Sequence, residues 1–162
     1  MAGGALTAVA LWLLSGLASP LPQRVRFALI LAFAAAAVLR DLGLLRLPLP
    51  QNSWQIPQHV LQRGILSGPL RFGFELGTGV RTYVSATAPY LLAIALLAGG
   101  PGILPAVLAG AGFGLGRAAT PFVRLSSPDP TTWDDLLRRR SRWLAAAATT
   151  AAAVAVTIAL LT

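Results

Sequence analysis

Five apolar segments, each close to the length of a membrane-spanning helix, dominate the sequence. They cover residues 2–21, 27–45, 70–98, 102–120 and 143–161. A helix needs about 20 mainly apolar residues to cross ~30 Å of hydrocarbon. Only 11% of the residues are charged, whereas a soluble domain has about 25%, and the mean hydropathy is +0.70. We therefore predict an all-α, polytopic membrane helix bundle, with residues 1–162 forming a single integral membrane domain.

The distribution of arginine predicts how this bundle is oriented. All 13 basic residues are arginines, and most lie in or beside the connections 46–69 and 121–142. Cytoplasmic connections carry an excess of basic residues, so we predict that these two are cytoplasmic, with the amino terminus inside and the carboxyl terminus outside. The expected location is the cell membrane, which is the inner membrane in a bacterium. If segment 2–21 were a cleaved signal peptide, four helices would remain in the same orientation.

Composition also excludes several kinds of chemistry. The chain has no cysteine and one histidine, His59, so disulfides, thiol redox chemistry and a multi-histidine metal site within one chain are excluded. No catalytic constellation, metal site or cofactor site is predicted. The net charge of +8 follows from the cytoplasmic arginines, and no nucleic-acid partner is expected.

Ionisable residues in the apolar segments form the main candidate site. Ionisable groups at membrane depth are costly, and they usually face protein or water. Helix periodicity and the predicted orientation place five of them at a similar, inner depth: Arg40, Asp41, Glu75, Arg81 and Arg117. One interpretation is snorkelling with interhelical ion pairs. The other is a polar, cytoplasm-facing vestibule that binds an anion or relays a proton.

Small residues and prolines indicate where helices bend and pack. Pro89 is predicted inside the helix 70–98, where proline removes a backbone hydrogen bond and bends the helix. With Gly77 and Gly79, Pro89 is a candidate hinge, of the kind that broken transporter helices use. Small residues four apart let helix backbones approach closely, and the fourth segment has two such rows: Ala106, Gly110 and Gly114, and Gly112 and Gly116. These rows serve either bundle packing or the wall of a substrate path.

The final segment and its approach predict partners. Residues 145–155 are mostly alanine, which favours packing against protein, so we expect a homo-oligomer or other membrane subunits. Capping-box spacing of Thr131 with Asp134, or of Thr132 with Asp135, predicts a cytoplasmic helix that starts near Thr132 and continues into the last span. Membrane lipids are the other expected partner, through a surface anchor of basic and aromatic residues: Arg138, Arg139, Arg140, Arg142, Trp133 and Trp143.

Residues 73–120 resemble a known group of membrane domains. The matching stretches are Gly77-Thr78-Gly79-Val80-Arg81-Thr82-Tyr83, Ala88-Pro89-Tyr90-Leu91-Leu92 and Gly112-Phe113-Gly114-Leu115-Gly116-Arg117. This texture resembles the CcdA/DsbD-type membrane domains and the wider group of LysE-like exporters. The resemblance implies inverted repeats of three helices with a proline-broken helix at the centre. The redox members have a cysteine beside the proline, whereas this chain has Thr87-Ala88-Pro89, so the resemblance does not imply thiol electron transfer.

Three classes of function are compatible with these features. The first is a non-catalytic accessory or assembly subunit of a larger membrane complex, for example a transport complex. The second is a small oligomeric transporter with a polar inner vestibule around Glu75, Arg81 and Arg117. The third is a membrane enzyme, for which the sequence offers no catalytic constellation. The first is our prediction, and the second is the alternative.

Overall fold

The computed structural model describes residues 2–49 and 86–161, and throughout these ranges the regular structure is helical. The all-α prediction is confirmed for them. The helices are α1 (Ala2–Leu14), which a 3₁₀ turn at Ser15–Ala18 extends, α2 (Gln23–Asp41), α3 (Ala88–Gly99), α4 (Ile103–Ser126) and α5 (Pro130–Leu161).

The helix bounds differ from the predicted ones mainly where polar residues continue a helix. Helix α4 runs to Ser126 rather than to residue 120, and α5 begins at Pro130 rather than at residue 143. The predicted connection 121–142 is therefore largely helical, since arginine is a good helix former. This agrees with the prediction that a helix starting near Thr132 continues into the final apolar segment. Residues 70–85 of the third predicted helix and most of the connection 46–69 lie outside the described residues.

Among the residues that the structure describes, two helices are long and apolar enough to cross a membrane, over Ile103–Arg124 and Thr131–Leu161. Only 18% and 17% of their most apolar stretches are buried. Two shorter apolar helices cover Ala2–Ala18 and Ala88–Gly99. The core helix of a soluble protein buries its apolar face, whereas these helices expose large apolar side chains, among them Leu104, Leu108, Val154 and Ile158. Their surfaces therefore suit contact with lipid or with another protein.

Helix α3 lies between two helix pairs. It contacts α1 and, more sparsely, α4 on one side, and α2 and α5 on the other. Ala8, Leu96 and Ala106 form a buried apolar cluster where α1, α3 and α4 meet. The connection from α3 to α4 is short, because Gly100 ends α3 with φ +59°, a conformation that glycine adopts without strain.

The prediction that Pro89 bends the interior of a helix is wrong. Helix α3 begins at Ala88, with Thr87 at its N-cap position, and Pro89 lies in its first turn. Proline is tolerated in the first turn because backbone N–H groups there have no partner within the helix. Pro89 therefore starts a helix instead of breaking one. The other two hinge candidates, Gly77 and Gly79, lie outside the described residues.

Candidate functional site

The carboxylate of Asp41 is the most deeply buried charged group in the part of the chain that the structure describes. Asp41 is the last residue of α2, and its side chain is only 1% exposed. Gly43 then takes φ +77°, and the Leu42 N–H donates to Val38 O while the Gly43 N–H donates to Arg40 O. This glycine turn ends α2 and leads the chain away, which leaves Asp41 facing α3 and α5.

Four donors from three helix segments converge on this carboxylate. Asp41 Oδ1 accepts from Arg40 Nη1 at 2.6 Å and from Thr87 Oγ1 at 2.7 Å. Asp41 Oδ2 accepts from the Thr87 backbone N–H at 2.8 Å and from Thr149 Oγ1 at 2.6 Å. Thr87 lies at the start of α3 and Thr149 in the middle of α5, and both are buried. A single carboxylate thus joins α2, α3 and α5.

The geometry around Asp41 is that of an ionised carboxylate. An ionised carboxylate has about four lone-pair sites and only accepts hydrogen bonds, and all the partners of Asp41 are donors. A buried charge is tolerated when it is paired and its remaining lone pairs are satisfied. Arg40 supplies the opposite charge, and it also donates to Leu47 O at 3.0 Å and to Thr87 Oγ1 at 3.1 Å. This ion pair lies within α2, and the bonds from Asp41 to other helices are hydrogen bonds with threonines, so the predicted interhelical ion pairing stays a prediction.

A pocket of about 420 Å³ opens beside this junction. Its lining includes three arginines, Arg40, Arg46 and Arg142, with Asp41 as the acidic residue. Arg142 reaches across from α5 and donates to the carbonyl of Leu42. Gly43 leaves room for this guanidinium, because a side chain at position 43 would collide with it. The pocket therefore has a strongly positive lining at the end of α2.

This arrangement is suited to binding rather than to acid–base chemistry. All the lone pairs of Asp41 are occupied, so it has no free position from which to take a proton from a ligand. Within residues 2–49 and 86–161, no group of three or more metal-ligating side chains comes together. What remains is an arginine-lined cavity that can attract an anion.

The sequence did not point to the two threonines that complete the site. In the sequence, Thr87 stands out only because it lies close to Pro89, and Thr149 lies in a run of alanines. The available signal was the pair Thr149-Thr150 inside an otherwise apolar segment. Hydroxyl groups in a membrane helix commonly hydrogen-bond to a neighbouring helix, and Asp41 was an acid without a named partner.

Of the remaining members of the predicted ionisable cluster, Arg117 lies within the described residues. Arg117 is on α4, half-buried, with its guanidinium 5.8 Å from the centre of the Phe113 ring, a distance at which a cation and an aromatic face attract each other. It is not among the residues that line the arginine pocket. Glu75 and Arg81 lie outside the described residues, so the vestibule predicted around them stays a prediction.

The two rows of small residues on α4 have different surroundings. Ala106, Gly110 and Gly114 are buried, and Gly110 packs directly on α1, where a Cβ atom at position 110 would lie 2.6 Å from Ala8 Cβ. The row therefore mediates close packing, as predicted from its spacing. Gly112 and Gly116 are exposed, and a Cβ at either position would meet nothing within 4 Å.

The predicted lipid anchor divides into exposed and engaged residues. Arg139, Arg140 and Trp143 are exposed, and Arg138 is exposed while pairing with Asp135. Arg142 is also exposed, and it contacts the end of α2, whereas Trp133 is half-buried. The anchoring role stays a prediction for the exposed members of the group.

The start of α5 is capped by Asp129, not by the predicted Thr131–Asp134 box. Asp129 Oδ1 accepts from the backbone N–H groups of Thr131 and Thr132 and from the Thr131 hydroxyl. These bonds, the one from the Thr131 hydroxyl first, hold the pKa of Asp129 well below its usual value. Asp134 pairs with Arg124 of α4 instead, at 2.8 Å. The chain prefers this arrangement because Pro130 takes the first helical position, which leaves Asp129 in place to cap.

Comparisons with protein-family models, with curated proteins and with solved structures find no match for this chain. The resemblance of residues 73–120 to CcdA/DsbD-type domains therefore stays a prediction.

Proposed function

We propose that this chain is a multi-pass membrane protein with five spans, its amino terminus in the cytoplasm and its carboxyl terminus outside. The contacts between helices support the proposal that the arginine-rich segments lie at the same end of the bundle. Asp41 meets Thr87 and Thr149, and Arg142 meets Leu42, so the end of α2, the start of α3 and the approach to α5 lie together. Arg24 and Arg26 are at the opposite end of α2. The positive-inside rule gives the arginine-rich end to the cytoplasm.

The chain's lack of cysteine makes this orientation testable by labelling. A single cysteine introduced by Ser126→Cys, at the end of α4, should react with a membrane-impermeant maleimide only after the cells are opened. A cysteine at Gly102, between α3 and α4, should react in intact cells. The reverse pattern would contradict the proposed orientation, and labelling of both positions in intact cells would contradict a membrane-spanning α4.

Within the membrane, the chain acts as a non-catalytic accessory or assembly subunit of a larger complex. The observation that carries this proposal is the exposed glycine row of α4, Gly112 and Gly116, which has open space around it. Glycine exposes backbone and adds no apolar side chain for lipid to cover. In membranes such rows serve close contact between helices, and the α1–α4 crossing in this chain uses the other row in that way.

The test is to purify the full chain in a mild detergent and to identify by mass spectrometry what stays bound. Replacing Gly112 and Gly116 together with leucine should remove a stoichiometric partner without unfolding the chain, because both positions are open. Gly16→Leu is the matched control, since position 16 is equally open but lies at the end of α1. A monomer without any partner would contradict the proposal. Equal loss of the partner in the control would contradict the role of the glycine row.

The arginine pocket favours the alternative of a small oligomeric transporter. Its three arginines and adjacent buried carboxylate resemble the predicted polar inner vestibule, although they involve Arg40, Arg46 and Arg142 rather than Glu75, Arg81 and Arg117. A homo-oligomer without a foreign subunit would support this alternative. The alternative would then also require anion flux into vesicles that contain only the purified chain. Arg46→Gln should abolish this flux.

A further inference from the structure

We propose that the pocket between the end of α2 and α5 is a binding site for a phosphate group, as carried by an anionic phospholipid headgroup. The pocket holds about 420 Å³ and is lined by Arg40, Arg46 and Arg142. Guanidinium groups bind phosphate oxygens through pairs of parallel N–H···O hydrogen bonds. The proposal goes beyond an assembly role and depends on the proposed membrane location only for the identity of the phosphate carrier.

The first argument is charge balance. Among the described carboxylates, Asp41 already accepts four hydrogen bonds and is paired with Arg40. The others are engaged away from the pocket, in a helix cap or with other arginines: Asp129, Asp134 and Asp135. Within residues 2–49 and 86–161, Arg46 and Arg142 therefore have no acidic partner. An anion in the pocket would balance these two charges.

The second argument is that two of the three pocket arginines are held in place before any ligand binds. Arg40 is fixed by Asp41 and by the carbonyl of Leu47. Arg142 is fixed by the carbonyl of Leu42, and Gly43 makes room for it. A preorganised site loses less conformational entropy on binding than a set of mobile side chains. The pocket thus differs from the solvated run of Arg138, Arg139 and Arg140.

The third argument concerns the surroundings of the pocket, which suit a lipid. Leu45 and Leu47 contribute to the lining, and the neighbouring Leu44 is 73% exposed. Trp143, which follows Arg142, is 70% exposed, and tryptophan favours the headgroup depth of a membrane. A phospholipid whose phosphate is held by the arginines would have its acyl chains beside these apolar side chains.

The experiment is a calorimetric titration of the purified full chain in a maltoside detergent. The probes are dioctanoyl phosphatidylglycerol, inorganic phosphate, and dioctanoylglycerol, which shares the acyl chains but lacks the phosphate. The proposal predicts that the phosphatidylglycerol binds with one molecule per chain and that dioctanoylglycerol does not bind. If inorganic phosphate binds comparably, the ligand is free phosphate. If it binds far more weakly, the ligand is the lipid.

The variants separate a built site from a basic surface. Because each arginine near an anionic group contributes about 1 kcal/mol, the single variant Arg46→Gln should weaken binding about fivefold. Combining it with Arg142→Gln should weaken binding about 25-fold, the product of two such losses. The matched control, Arg139→Gln with Arg140→Gln, removes the same charge from exposed positions of α5 and should change affinity less than about threefold. Arg46 forms no described contact that folding needs, so the single variant stays informative if the pair is unstable.

Equal loss of affinity in the pocket pair and the control pair would overturn the proposal in favour of diffuse attraction to a basic surface. Binding of dioctanoylglycerol as tight as that of phosphatidylglycerol would overturn it as well. Either result can occur while the chain inserts into membranes and retains its partner, so the assembly proposal would stand. Failure of insertion, by contrast, would remove the assembly proposal and leave phosphate binding measurable.

Discussion

The α1–α4 crossing and the α2–α3–α5 junction hold the same bundle together by opposite chemistry. At the crossing, the backbones of Gly4 and Gly110 lie against each other with no room for a side chain. At the junction, a buried carboxylate gathers an arginine and two threonines from three helices. The crossing depends on the absence of side-chain atoms, whereas the junction depends on a few specific ones. The two should therefore respond to mutation in different ways.

The largest effect is expected from filling the crossing. Gly110→Leu would drive its side chain into the Gly4 backbone and Ala8, and backbone cannot move aside as a flexible side chain can. Overpacking typically costs ~1–3 kcal/mol and more where relief is blocked. We expect loss of the α1–α4 contact and of most folded protein, as measured by monodisperse yield in detergent.

The matched control for this change is Gly112→Leu, two residues away on the same helix, where the added side chain meets nothing within 4 Å. Its folded yield should remain close to that of the wild type. If both variants fold equally well, the crossing is not the close contact that separates the two regions.

The next effect is expected from removing the charge that organises the junction. Asp41→Ala would leave Arg40, Thr87 and Thr149 without their common acceptor. Because the Arg40 side chain is 21% exposed, the cost should fall below the ~3–5 kcal/mol of breaking a fully buried ion pair. We expect a large drop in the free energy of unfolding, measured by denaturant titration in detergent micelles. A drop no larger than that of an exposed replacement, such as Asp135→Ala, would show that the junction does not bear on stability.

A smaller effect is expected from removing one hydroxyl of the junction. Thr149→Val keeps the shape of the side chain and removes one of the four donors to Asp41, so it should cost ~1 kcal/mol. The control is Thr157→Val, because the Thr157 hydroxyl donates only to the Ala153 carbonyl of its own helix. Equal effects of the two changes would mean that the Thr149 bond adds nothing beyond a local one.

The smallest effect is expected from the Asp129 cap at the start of α5, which lies away from both regions. Bonds from Thr131 and Thr132 depress the pKa of Asp129 in the folded state from its ordinary value of 3.8. A carboxylate with a depressed folded pKa stabilises the fold above its unfolded pKa, and this contribution is lost as the pH falls through the folded pKa. Asp129→Asn should therefore reduce the stability difference between neutral pH and the acid range below pH 3.8. An unchanged pH dependence would contradict the cap.

The sequence carried different amounts of information about the two regions. The crossing could be predicted, because spacing of four among Ala106, Gly110 and Gly114 is a property of one helix alone. Only the partner helix, α1, had to come from the structure. The junction could be predicted in part. The adjacent charges of Arg40 and Asp41 marked a costly site, but the identity of their partners depends on tertiary contacts between residues far apart in the chain.

The same reasoning explains the errors. Pro89 was expected to bend a helix because the apolar run continues on both sides of it, and hydropathy does not show where a helix begins. The sequence predicts Thr131 as the cap of α5, two residues after the observed cap, Asp129. Both residues have capping chemistry, and only the position of Pro130 decides between them. Glu75 and Arg81, the most conspicuous charges in the apolar sequence, remain predictions because they lie outside the described residues.

The most direct test of the account is a double-mutant cycle between Asp41→Ala and Thr149→Val. These residues are 108 positions apart in the sequence, so any coupling between them reports the tertiary contact that joins α2 to α5. We predict a coupling free energy of about 1 kcal/mol in the unfolding titration, because residues in one hydrogen-bond network are coupled by ~0.5–3 kcal/mol. Pairing Asp41→Ala with Thr157→Val should be additive. Additivity of the Asp41 and Thr149 changes within ~0.3 kcal/mol would contradict the three-helix junction on which the account is built.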